Sequence, residues 1–441
     1  MINTIAIVGG GISGTLTVLN CIKQSKSQLK IIWFDAKNQF CKGLAYSTSE
    51  EQHLLNVRAN NMSVFVDEPN HFTNWLKQYH PQYTANDFVP RKLFGDYVQY
   101  SFDILKNTNS LVSILQIAEE VTNITKTNNG FELKASLTYH AEKLVLAFGN
   151  FLPAHPRSIS QEFINSENYF QNAFQSNLTQ QAKSKKHITV IGSGLTMIDI
   201  LMSIHHHLYT GKITIISPHA YIPQAHNDNP LPSVKPFIEE HKTYCLLELF
   251  SLVNQQLKKA KTVGLNPHSV IDVMRPHLQF IWMNFTLNEK QQFLRHLRHK
   301  WGVARHKAPS ENMAIFKQLQ SLHSINIIKG RITDIKTIGN NFEIFYSNPN
   351  QPSIKTELVI NCTGPESNYL QITSLLVQNL IKSRFFVSDS INYGIKADKN
   401  GEIVPNVYTI GPPLKGILWE STAVPEIRLQ AKELATKIIC N

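Results

Sequence analysis

The sequence lacks paired cysteines. Its five, Cys21, Cys41, Cys245, Cys362 and Cys440, are scattered and form no CxxC or CxxxxC. A disulfide framework, a zinc site and a redox-active dithiol are therefore poorly supported, and free, mostly buried thiols are the expectation. There is no unbroken apolar run of the length a membrane span requires. The first apolar strand begins at Thr4, which leaves no room for a signal peptide and makes the cytoplasm the expected compartment. Metal-ligand spacing is missing too. His205, His206 and His207 are consecutive, so on a helix they point to different faces and cannot share one ion. No metal is expected.

Acid is in short supply: 32 Asp and Glu stand against 43 Lys and Arg, for a net charge of +11. Much of the excess lies between Arg275 and Lys307, where Arg295, His296, Arg298, His299 and Lys300 crowd together, with Arg305 and His306 beyond. Clustered cations suit nucleic-acid phosphates. Here, however, Phe280, Ile281, Phe285, Phe293, Leu294, Leu297 and Trp301 interleave at helical spacing, the pattern of a packed helix with a basic outer face. A solvated face is the first reading, an acidic substrate or cofactor phosphate the second, nucleic acid the third. Neither nucleic acid nor membrane is expected as a partner. With 42% hydrophobic and 17% charged residues, the composition excludes disorder and fibrous repeats. A length of 441 residues predicts two or three domains.

What is present starts at once. Residues 4–10, TIAIVGG, suit a buried parallel strand. Gly9, Gly11 and Gly14 then spell GxGxxG, a helix follows from Ile12, and a second apolar run, KIIWFDA, ends in Asp35. Gly9 permits the tight turn, Gly11 lets the backbone approach a pyrophosphate, and Gly14 lets helix and strand pack closely. The helix N-terminus offers free N–H groups to phosphates, and Asp35 can accept hydrogen bonds from a ribose. Placed strand–turn–helix–strand with an acid at this distance, the fingerprint predicts a dinucleotide site. It does not choose between FAD and NAD.

A second such turn follows at ITVIGSGLTMID, with Gly192 and Gly194 in place and Met197 where the third glycine would stand. The predicted helix runs from about Thr196 to Leu208, and the next strand is KITIIS. Met197 replaces only the packing glycine, so a wider helix–strand distance is expected, with the site kept. No acid ends that strand. Ser217 and His219, with Lys212 nearby, are candidates to accept a 2′-phosphate, which leans towards NADPH, with NADH the alternative. Between each glycine turn and its closing strand lies a run of alternating strands with a turn signal, TNNG or GNN. The closing strands end LAFGN and NCTGP, the latter bringing in Gly364. Residues 235–320 read as mainly helical. Pro425 and Glu426 suit the first turn of a terminal helix.

Two glycine turns, two closing strands and the C-terminal IGPPLKGILWESTAVPEIR resemble the flavoproteins with two dinucleotide-binding domains. Further likeness, in GLAY, HLLNV, RKLFGDYV, NCTGPE and GILWESTAVPEIR, is to a bacterial group of FAD/NAD(P)-binding proteins. Its relatives include flavin-dependent urate hydroxylase-like proteins and amino-acid N-hydroxylating monooxygenases. The resemblance covers essentially the whole chain. It implies an α/β fold of two Rossmann-like domains with β-meander crossovers: an FAD domain at 1–155 and 355–441, and an NAD(P) domain at 156–354 with a helical insertion at about 235–320. It implies FAD held by Gly9, Gly11, Gly14 and Asp35, with Val121 offering its backbone to adenine and Arg91 near the phosphates. Asn56, Asn60 and Met62 would lie near the isoalloxazine. Gly411 would make the third flavin contact, by backbone because Pro412 follows it. A helix starting near Thr422 would aim its N-terminus at the flavin, with Trp419 and Glu420 lining the ring. Plainer readings stand beside these: an ion pair for Arg91, turns for Asn56 and Asn60, and core packing for Met62 and for Trp419.

FAD and NADPH in one chain imply hydride transfer to flavin and delivery of the electrons elsewhere. Cys41 is alone, which disfavours a disulfide reductase. The Baeyer–Villiger fingerprint is missing, because FGNFLPAHPRS puts glycine directly after phenylalanine. The expectation is a monooxygenase that shields a flavin hydroperoxide and uses dioxygen to hydroxylate a small polar, anionic substrate. The alternative is an FAD-binding redox-sensing or partner protein with little nicotinamide-driven turnover.

Overall fold

The structure, a computed structural model, describes residues 3–157, 159–227, 231–322, 324–347 and 353–440. Within it, one plan is used twice. The first unit contains β1 (Asn3–Val8), β2 (Leu29–Phe34), β3 (Val112–Ile117), a meander of β4 (Asn123–Thr127), β5 (Gly130–Lys134) and β6 (Thr138–Ala141), and the closing strand β7 (Lys143–Leu146). The second contains β8 (Tyr169–Phe170), β9 (His187–Ile191), β10 (Lys212–Ser217), β11 (Ile325–Lys329), a meander of β12 (Ile332–Ile338), β13 (Asn341–Tyr346) and β14 (Ser353–Thr356), and the closing strand β15 (Leu358–Asn361). The chain then returns to the first sheet with β16 (Glu402–Val404) and β17 (Val407–Thr409).

The first sheet has the order β16-β17-β7-β1-β2-β3 and the second β11-β10-β9-β15-β8. The second is parallel throughout, and the first is parallel except for the β16–β17 pair. The central strands β1, β7, β9 and β15 are buried on both faces, so they read as unbroken apolar runs. Alternation nonetheless sorts the side chains of each sheet by face. Ile5, Ile7, Ile31, Trp33 and Val145 face the helices; Ala6, Val8, Ile32, Phe34 and Leu146 face the meander. The second sheet divides likewise, with Val190, Ile215 and Ile360 towards helices and Ile191, Ile216 and Val359 towards the meander.

The helix Ile12–Gln24 packs against the terminal helix Val424–Cys440, so the end of the chain closes the core begun at its start. The expected domain boundary at 354/355 falls inside β14, and β15 after it pairs with β9. The second sheet therefore extends past that boundary. The insertion also ends earlier than the sequence suggests. Helices Leu246–Thr262, Ser269–Met274, Leu278–Asn284, Leu287–Gln292 and Arg298–Arg305 form it, around Trp282, Phe293 and Trp419. A capping box of Thr286 and Glu289 starts one of these helices. The following helix, Ser310–Ser321, buries Met313 and Phe316 in the core of the second unit instead.

Candidate dinucleotide sites and the bridge between them

At the first turn Gly9 has φ +122°, and a Cβ there would lie 2.1 Å from the Ala147 carbonyl oxygen. Only glycine can end β1 this close to β7. A Cβ on Gly14 would lie 2.0 Å from the Gly9 oxygen, which also accepts the Trp33 indole N–H at 3.0 Å. Gly11 caps helix Ile12–Gln24 with no side-chain cap, leaving first-turn N–H groups for a ligand. Half-buried Asp35 follows β2 directly, and its Oδ1 accepts the backbone N–H of Lys37 at 2.8 Å. Two further glycines belong here and were missed by the fingerprint. A Cβ on Gly10 would come within 2.2 Å of Asp35 Oδ2, and one on Gly43 within 2.8 Å of Gly11 Cα. Gly10 is the middle glycine of the VGGG run, a signal the sequence did carry; nothing local pointed to Gly43.

The loop after β17 also reaches this turn. Gly411, at φ +77°, sits where a Cβ would be 2.5 Å from Ser13 Oγ, and its N–H donates to Gln430 at 3.0 Å. Val121 is buried beside Phe34 and Ile124 just before β4. Asn56 is half-buried, with its carbonyl 3.0 Å from His226 Nε2. Asn60 is exposed in a short 3-10 turn, and Met62 is buried in the first core.

The second turn repeats the first. Gly192 has φ +102°, and a Cβ would be 2.4 Å from the Cys362 carbonyl oxygen at the end of β15. Gly194 caps helix Leu195–His206 without a side-chain cap and faces open space. Gly364, at φ +88°, follows a buried Asn361 whose Oδ1 accepts from Thr363 Oγ1 at 2.7 Å. Ser217 is already engaged: its hydroxyl lies 2.8 Å from Ser193 Oγ and accepts from Ala220 N at 3.0 Å. His219 is exposed, stacked on Tyr221 and 4.8 Å from the His299 ring.

Lys212 does not join them. It starts β10 and Ser217 ends it, so at about 3.3 Å per residue they stand some ~16 Å apart. Arg331 does come near, because Gly330 N–H bonds the Ser217 carbonyl at 3.0 Å. Burial, Arg298, His219 and Arg331 together push His299 down to about 4. Several cations thus collect at this sheet edge, brought partly by the insertion.

Arg91 is placed between the units. Its Nη2 lies 2.8 Å from Asp199 Oδ2 on helix Leu195–His206, and both side chains are largely buried. Its Nε donates to the Leu54 carbonyl at 3.0 Å. Arg91 thus makes the ion pair of the plainer reading, and the pair is buried. Beside it, His53 lies 2.7 Å from Ser203 Oγ and 2.8 Å from Thr48 Oγ1, and His207 lies 3.2 Å from Glu50. Burial raises Asp199 to about 6 against the pull of Arg91. Burial, then Arg91, lowers His53 to about 4.

The C-terminal loop departs from expectation in two ways. The terminal helix begins at Val424, and Thr422 is an exposed loop residue; the first helical bond runs from Ile427 N–H to Ala423. Trp419 is buried in the insertion, 4.7 Å from the Trp282 ring and 5.0 Å from Phe293. Glu420 anchors the insertion by accepting from Trp301 Nε1 at 3.2 Å and Arg305 Nε at 3.3 Å. Cys41 is buried, and burial drives its thiol up to about 12, which removes it as a nucleophile. Among the described residues no cluster could hold a metal, and no helix is long and apolar enough to cross a membrane.

Residues 6–151 match the family model described as FAD-NAD(P)-binding. No curated protein matches the sequence. Solved structures share the fold over its whole length. The ornithine N-hydroxylase of Kutzneria sp. 744, solved with reduced FAD, NADP+ and L-ornithine, has a TM-score of 0.68 at 14% identity, covering 99% of each chain. The cadaverine monooxygenase of Erwinia amylovora, solved with FAD, has a TM-score of 0.67 at 15% identity, covering 100% of this chain and 95% of that one. The L-lysine 6-monooxygenase of Pseudomonas syringae has a TM-score of 0.65 at 13% identity, covering 99% of each. At such identities the likeness is one of fold.

Proposed function

We propose that this chain, which carries an FAD/NAD(P)-binding domain at residues 6–151, is an FAD-dependent NAD(P)H oxidoreductase. Within that class it is a single-component monooxygenase acting on a small polar, anionic substrate. The duplication carries the reading. Gly9 lies under Ala147 and Gly192 under Cys362, and each turn opens a helix whose N-terminus no side chain caps. Two uncapped helix ends, each behind a glycine cradle, fit two pyrophosphates.

Flavin, when bound, supplies hydride acceptance and the activation of dioxygen. The chain's residues bind and orient. Asp35 is placed for a ribose of the first nucleotide. No carboxylate occurs from Ser217 to Tyr221, whereas Arg298 and Arg331 gather beside His219 and His299 there, which favours the 2′-phosphate of NADPH. A lone Cys41, buried and protonated, gives no support to disulfide chemistry. The fold shared with N-hydroxylating enzymes, and the basic insertion, support a monooxygenase with an anionic acceptor.

The test is spectroscopic. Purified protein is expected to be yellow, and NADPH should bleach the visible flavin band without air, faster than NADH. In air, a true substrate should raise NADPH oxidation and suppress peroxide release. Colourless protein would remove the flavin assignment. Yellow protein that neither nicotinamide reduces would leave a flavin-binding partner or sensor.

A further inference from the structure

The apolar stripe of the basic segment does not pack against itself. Ile281, Phe285, Phe293, Leu297 and Trp301 line a cavity of about 270 Å³ inside the helical insertion. Helix Leu246–Thr262 supplies the opposite wall, and Trp419 is one end of it. Protein interiors are otherwise close-packed. Apolar cavities of about 150 Å³ stay dry and take up benzene, and small-molecule pockets begin near roughly 300 Å³. A space of this size and lining is suited to an apolar body.

Its edge is charged. Lys300 and Asn254 are the polar members of the wall, and Lys300 and Phe250 are its exposed members, which places the mouth beside them. Lys300 has no carboxylate partner among the described residues. Exposed Arg295, in the adjoining turn, adds positive charge, and two acids that touch wall residues are already engaged: Glu420 by Arg305 and Trp301, and Glu289 by the Leu246 N–H and its own capping box. Asn254 donates its amide N–H to the Phe250 carbonyl, and Lys300 is the cation among the described wall residues that can meet an anionic head. Phe293 and Leu297 enter the wall from a π-turn, Phe293–Leu297, a helical irregularity that often marks functional sites.

We infer that the insertion binds an amphipathic carboxylate, with its aliphatic or aromatic body in the Trp282–Trp419 cavity and its head on Lys300. The site is separate from both glycine turns, so it stands or falls independently of the flavin reading.

Octanoate, titrated into the full-length protein as purified, tests this directly. Three of the five tryptophans, Trp282, Trp301 and Trp419, lie in the wall, so their emission should change saturably, with matching heat in calorimetry. Acetate, having no body, should give no signal, and octanol should bind at least tenfold more weakly. Lys300→Ala, a surface change, should weaken octanoate several-fold and leave octanol unaltered. Val253→Trp, which fills the cavity from a half-buried position, should abolish both while melting remains cooperative. Absence of saturable octanoate binding would overturn the inference. So would equal affinity for octanoate and octanol, or unchanged binding by the filled variant.

Discussion

In the first unit the residue five beyond Gly9 is Gly14, and a Cβ there would lie 2.0 Å from the Gly9 carbonyl oxygen. In the second unit the same place is held by Met197, fully buried. The neighbours explain the difference. The Gly9 oxygen is shared with the indole N–H of Trp33, so no side chain fits beside it. Strand register puts Ile215 where Trp33 stands, and Ile215 and Met197 belong to one apolar core. The second helix also opens more loosely: its first bond, Ile198 N–H to Gly194, is 3.4 Å, against 2.9 Å from Thr15 to Gly11. The third glycine is thus demanded by what crowds the turn. The first is demanded by the turn itself, while the second meets no crowding in either unit and leaves room for a ligand; both units keep both.

Exchanging the third position should break this contrast most violently. Gly14→Met has no room and should yield no soluble, flavin-containing protein on expression. Met197→Gly should keep the turn but lose a buried side chain and add helix flexibility, costing about 3–5 kcal/mol, read by denaturant unfolding. Gly192→Ala should come next. Its positive φ and the Cys362 contact predict a loss of about 2 kcal/mol or more, with NADPH reduction impaired and flavin retained.

Gly194→Arg should separate stability from function. Its Cβ meets open space, so melting should move by less than about 0.5 kcal/mol. The rate of flavin reduction by NADPH without air should nonetheless fall at least tenfold. An unchanged rate would remove the second site.

The smallest effect concerns acidity at the bridge. Folded Asp199 holds its proton up to about 6, above its unfolded range, so its contribution to stability declines as pH rises through that value. Folded His53 stays neutral down to about 4 although its ordinary value is 6.5, so its contribution declines as pH falls through that window. Between about 4 and 6 the two slopes oppose. Relative to the wild type, melting temperature should therefore rise more steeply with pH across this window in Asp199→Asn and less steeply in His53→Asn.

The sequence was most legible where backbone geometry leaves one choice. Gly9, Gly11, Gly192 and Gly194 stand in the turns their spacing predicts, and the alternating runs became meanders. Long-range pairing was not legible. RKLFGDYV gives no hint that Arg91 meets Asp199, because the two are joined only when separate units dock. Periodicity marked Phe293 and Trp301 as an apolar face without showing that a cavity lies opposite. Trp419 sits in a loop, where no period exists to assign a partner. The Lys212 misplacement was avoidable, since strand polarity alone puts its first and last residues at opposite edges.

Helix Leu195–His206 begins at the second glycine turn and carries Asp199 and Ser203 into contact with Arg91 and His53 of the first unit. Inheritance is constrained accordingly. A recombinant that kept this second unit but drew its first from a relative without Arg91 would bury a carboxylate with no counter-charge. The two halves, though copies of one plan, are bound to change as a pair.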